Sequence, residues 1–122
     1  MTAGAIDVFS RAHIALTAIV TGIIAAGIGW WRFKDPRRLL EALTVGLLAA
    51  AAVFLWRASA NMPQLNRDGL EGFSANDWLA PVVVYVVLSV YAALNPPNDA
   101  HRFAQVRAGA TIAAFAINVI TI

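Results

Sequence analysis

Apolar side chains fill four stretches of this chain with few interruptions, at about residues 12–31, 39–56, 78–94 and 104–122. A helix rises about 1.5 Å per residue, so stretches of this length approach or cross a hydrocarbon core of roughly 30 Å. Inside a bilayer no water satisfies backbone N–H and C=O groups, so a spanning segment must be a helix or part of a closed barrel. The strict apolar–polar alternation of a barrel strand is absent from all four. The pattern predicts an all-α, polytopic membrane protein. Its four transmembrane helices form two antiparallel hairpins, in a single domain over residues 1–122.

The polar intervals supply the stops and starts. Asp35 before Pro36 reads as an N-cap with proline at the first helical position, and Glu41 follows further into the second helix. Asn95-Pro96-Pro97 ends the third helix, because proline cannot continue the hydrogen-bond ladder. Asn98 or Asp99 then caps the fourth. Ser74-x-x-Asp77 resembles a capping box for the third helix, and Pro81 just inside it is either harmless or a kink. The first apolar run is too long for a cleaved signal and ends in Trp30-Trp31-Arg32-Phe33-Lys34, so it is expected to span.

Charge gives the bundle an orientation. One set of ends carries Arg32, Lys34, Arg37, Arg38, Arg102 and Arg107 against Asp35, Glu41 and Asp99, six basic minus three acidic or +3. The other carries Arg11, Arg57 and Arg67 against Asp7, Asp68, Glu71 and Asp77, three minus four or −1. Lys and Arg accumulate in cytoplasmic loops, so loops 32–38 and 95–102 are expected in the cytoplasm. Both termini and loop 57–77 then lie outside a multi-pass cell-membrane protein. Trp30, Trp31, Trp56 and Trp78 all sit at span ends, where an indole prefers the headgroup layer.

Composition narrows the class further. Apolar residues make up 60% and charged residues 13% of the chain, with no cysteine. Disulfides, thiolate metal sites and thiol catalysis are therefore excluded. The pI of about 9.7 reflects a net charge of only +2, placed where topology demands it, so no nucleic-acid partner is expected. Loop 57–77, with Met62, Leu65, Leu70 and Phe73 among polar residues, is either interfacial or a docking surface. Its Asn66-Arg67-Asp68-Gly69 lacks the glutamate of a calcium loop and reads as a turn.

Small residues recur at intervals of four. Ala18, Gly22 and Ala26 mark the first helix, Ala42, Gly46 and Ala50 the second, and Ala110 and Ala114 the fourth. Such stripes let helix backbones approach closely in lipid, chiefly to close the bundle and secondarily to pair with other chains. The third helix instead carries Val82, Val83, Val84, Val86, Val87 and Val90, suited to lipid or another apolar partner.

Polar side chains within spans are costly without partners, so they are the candidate sites. His13 and Asn118 lie at similar depth near the outer edge, beside Thr17 and Thr21 and with Arg57 on the same side. They are expected to bond each other or backbone. Glu41 and Arg107 lie toward the cytoplasmic side and are expected to pair, or Arg107 to snorkel. His13 is also the one span residue able to ligate a pigment or haem metal. His101 belongs to the opposite end, so one chain cannot clamp one haem between its two histidines. No catalytic constellation and no metal-ligand spacing appears, and any cofactor is left unspecified. The reading that follows is a non-enzymatic integral membrane subunit that packs into a larger membrane protein complex. The alternative is a small homo-oligomeric transporter or channel with a pathway through Thr17, Thr21, Thr44, Tyr85, Ser89, Tyr91, Thr111 and Asn118.

Overall fold

The computed structural model describes the backbone of residues 11–34, 36–59, 68–70, 73–97 and 99–121, and side chains within 12–34, 36–59, 78–97 and 99–120. Among the described residues the chain forms four helices: α1 (Arg11–Arg32), α2 (Arg38–Ser59), α3 (Ala75–Leu94) and α4 (Ala100–Thr121). Between α2 and α3 a minimal antiparallel ribbon pairs β1 (Asp68–Leu70) with β2 (Phe73–Ser74). Five residues of strand leave the protein all-α.

Three helices are long and apolar enough to cross a membrane, and 78–94 is a shorter apolar helix of the same kind. With residues 75–77 included, the 20 residues of α3 reach about 30 Å. Pro81 lies in the second turn of α3 and the helix runs through it, although its missing N–H leaves one carbonyl without a helical donor.

The helices pack as a ring. α1 lies against α2 and α4, and α3 lies against the same two, while α2 and α4 meet only marginally across the diagonal. Residue pairs run in opposite directions within each hairpin: Gly22 with Ala50 and Gly29 with Ala42 for α1 and α2, and Trp78 with Phe115 and Tyr91 with Phe103 for α3 and α4. We call the end with residues 33–37 and 95–99 the basic end, and the other the loop end. Ala25, Ala49, Val53, Val84, Leu88, Val106 and Ala110 fill the centre, a core built mostly of small and branched side chains. Val84 belongs to this core, whereas Val82, Val86 and Val90 face outward.

Four boundaries differ from expectation: α2 runs on to Ser59 rather than 56, α3 starts at Ala75 rather than 78, and the starts of α2 and α4 also move. α2 begins at Arg38 rather than Pro36: the first helical bond runs from Glu41 N to Arg37 O at 2.9 Å, and Pro36 and Arg37 form a turn. The chain needs those residues to reverse between antiparallel neighbours; Asp35 lies outside the described residues. α4 begins at Ala100, not 104, because Asp99 caps it. The Asp99 Oδ1 accepts from Arg102 N at 3.0 Å, the N3 bond of an N-cap. The proposed Ser74–Asp77 capping box lies outside the described side chains.

Candidate functional site

The small-residue stripes lie where α1 and α2 come closest. A Cβ built on Gly22 would stand 2.8 Å from both the Ala50 Cβ and the Gly46 O. One on Gly46 would stand 2.7 Å from the Ala26 Cβ and the Gly22 O. Ala18 and Ala42 are buried beside them, and Ala110 and Ala114 are buried in α4. On the side of α4 toward α1, Gly109 receives Ile28, whose side chain would lie 3.2 Å from an added Cβ.

Most polar groups within the spans turn back to their own helix. Thr21 donates to Thr17 O at 2.8 Å, Thr44 to Leu40 O at 2.8 Å, Ser89 to Tyr85 O at 2.7 Å and Thr111 to Arg107 O at 2.8 Å. A hydroxyl reaches the carbonyl four residues back without involving another helix, so this bond is always available. Asn118 does the same through Nδ2 to Ala114 O at 2.6 Å, while its buried Oδ1 has no donor among the described residues. Of the two arrangements expected for Asn118, a bond to His13 or to backbone, the backbone bond is the one formed. His13 is half-buried in the first turn of α1.

A buried acceptor without a donor costs stability, and leucine has nearly the shape of asparagine. Asn118→Leu is therefore expected to leave stability unchanged or raise it by about 1 kcal/mol. Reversible unfolding in mixed detergent measures this. A loss of similar size would mean that Oδ1 has a partner in the membrane.

Arg107 does not pair with Glu41, since α4 and α2 stand across the diagonal. Its guanidinium instead lies 4.6 Å from the Tyr85 ring centre and 6.0 Å from that of Phe103, with Nη1 donating to Ser89 Oγ at 3.2 Å. Aromatic faces and a hydroxyl replace water around this cation within the bundle. Arg57 is the largest fully buried side chain among the described residues. Its position continues the inward stripe of Ala42, Val45, Gly46, Ala49, Ala52 and Val53, a signal present in the sequence spacing.

The basic end is knitted across the helices. Arg32 at the end of α1 donates through Nε and Nη2 to Gln105 Oε1 of α4, with the Nε bond at 3.0 Å. Arg102 returns a bond to Arg32 O at 3.0 Å and pairs with Asp99 at 3.3 Å. Gln105 Nε2 lies 3.2 Å from His101 Nε2. Arg38 lies over Trp30 at 3.7 Å, which pins the α1–α2 turn.

Beneath these contacts Phe33 stacks near Phe103 at 6.4 Å between ring centres, and Tyr91 lies 6.2 Å from Phe103. Above this aromatic floor opens a cavity of about 290 Å³ bordered by Arg37, Glu41, Thr44, Tyr91, Asn95 and Leu40. Asn95 Nδ2 donates to the Tyr91 hydroxyl at 3.2 Å on its wall. Nothing in the apolar pattern announced this cavity, because its lining is shared among the start of α2, the end of α3, Phe103 of α4 and two short links.

No family model, curated protein or solved structure matches this chain. The fold defines the class by itself: a small helical-bundle protein with apolar helices of membrane length.

Proposed function

We propose that this chain is a non-catalytic integral membrane subunit that packs into and stabilises a larger membrane protein complex. One observation carries the reading. Five of the eight polar side chains that a transport pathway would need, Thr21, Thr44, Ser89, Thr111 and Asn118, are bonded back to their own helices. Groups held this way do not form a continuous polar track. The outward surface is instead large and apolar on every helix, from Leu16 and Ile23 through Leu47 and Leu55 to Val86 and Ile112. Lipid and other membrane helices are the contacts such a surface fits.

In this reading the protein is a multi-pass component of the cell membrane. Loops 32–38 and 95–102 face the cytoplasm, and both termini and loop 57–77 face outward, as the Lys and Arg distribution favours.

Gentle extraction followed by native mass spectrometry tests the role. The expected result is the chain's 13.0 kDa mass within an assembly of different subunits. A homo-oligomer that also conducts ions or solutes in liposomes would overturn the reading in favour of a transporter or channel.

A further inference from the structure

We propose, resting on the subunit reading above, that the seam between α3 and α4 around Arg107 receives a transmembrane helix of another subunit that carries an aspartate or glutamate. Arg107 stands seven residues after the start of α4, about 10 Å from that end of the helix. Its guanidinium lies 4.6 Å from the Tyr85 ring centre, and Nη1 donates to Ser89 Oγ at 3.2 Å. Those two residues stand nine and five positions before Leu94, so they hold the cation near the depth of its own Cα and not at the helix end. Nε is buried without an acceptor, and no carboxylate among the described residues pairs with the group.

The unbalanced charge selects the occupant. Two rings and one hydroxyl offset part of the lost hydration, but they bring no negative charge. Cations inside a membrane pair with another charge or face water, and a guanidinium fork matches a carboxylate with two parallel bonds. A lipid phosphate is the competing anion. It lies beyond the hydrocarbon edge, about 10 Å along the helix from Arg107, and reaching it would break the Ser89 bond and leave the Tyr85 ring. A second copy of this chain fits less well. Among the described residues its carboxylates near this end are Glu41, three residues into α2 and already in contacts of its own, and Asp99, which pairs with Arg102. Neither stands level with Arg107.

The surface around Arg107 suits a helix. Tyr85, Val86 and Val90 of α3 and Ile112 of α4 are exposed, so an apolar neighbour covers them without cost. Ala104 and Ala108 stand on either side of Arg107 in the sequence, the first half-buried and the second exposed. Side chains this small let another backbone come close enough for a short acidic side chain to reach the half-buried guanidinium.

The test uses the full-length chain in phosphatidylcholine liposomes and energy transfer to lysine-flanked leucine–alanine peptides of roughly 20 residues. One peptide carries a glutamate about 10 Å from its end, and the other carries glutamine at that position. The glutamate peptide should bind about tenfold more tightly, the affinity of one added charge-assisted hydrogen bond. Arg107→Gln should bring the two peptides to equal affinity, and Arg107→Lys should keep part of the preference. Equal binding of the two peptides by the wild-type protein overturns the proposal, whether or not a variant folds, and is the result expected if a lipid phosphate satisfies Arg107. A preference that survives Arg107→Gln overturns the assignment to this residue. Transfer between two labelled copies of the chain that Arg107→Gln abolishes would give the seam to a second copy instead. A homo-oligomer in native mass spectrometry with the peptide preference intact would overturn the subunit reading while leaving the carboxylate-binding seam in place.

Discussion

Gly46→Leu should separate α1 from α2 and cost about 3 kcal/mol, the upper end of over-packing penalties. The reason is what the new atoms meet. An added Cβ lies 2.7 Å from the Gly22 carbonyl oxygen, a backbone atom that cannot rotate away, and at the same distance from the Ala26 Cβ. The helices must then move apart along the whole Gly22–Gly46 contact, and in lipid the lost packing is not offset by any hydrophobic gain. Gly27→Leu is the matched control. It adds the same side chain to the same bundle, yet an added Cβ there meets nothing within 4 Å. The control should change stability by less than about 0.5 kcal/mol. Reversible unfolding of both variants in mixed detergent measures the difference, and equal stabilities would mean that the Gly22–Gly46 contact does not hold α1 to α2.

Phe103→Ala should cost about 2 kcal/mol. In water a buried phenylalanine truncated to alanine loses roughly 3–5 kcal/mol, part transfer and part cavity, and in lipid chiefly the packing part remains. Phe103 is buried at the basic end, where its ring meets Phe33 from the α1–α2 link and Tyr91 of α3. It therefore joins both hairpins, and its removal should loosen one hairpin from the other rather than unfold either. The floor of the adjoining cavity would be lost as well. Phe103→Leu, which keeps most of the volume, should recover more than half of the stability. If alanine and leucine behave alike, the ring contacts contribute nothing beyond apolar character.

The contrast between these two sites marks what a sequence of this kind discloses. Hydrophobic run length gave the helices, since lipid leaves no other choice for a single short chain. The interval of four between Ala18, Gly22 and Ala26, and between Ala42, Gly46 and Ala50, marked the close face, because small side chains in register have a steric meaning independent of partner. Depth was also legible: Glu41 and Arg107 do lie toward one end, and His13 and Asn118 toward the other. Azimuth was not. Whether two residues at one depth meet depends on which helices are neighbours, and the diagonal placement of α2 and α4 keeps Glu41 from Arg107. The start of α4 was hidden because His101 and Arg102 are polar although helical. The cavity was hidden because its lining is spread over three helices and two links, so no single stretch of sequence carries it. Arg57 was legible in principle, four residues after Val53 on the inward stripe, but a charge at a helix end reads first as exposed.

In the proposed topology all four helices cross the bilayer, α3 included although it is the shortest apolar run. Four crossings return the chain to its starting side, and three do not. Reporters of opposite compartment preference fused in turn to the N- and C-termini decide between them in intact cells. Both termini are expected on the same side, the one facing away from the basic links. Termini on opposite sides would contradict it.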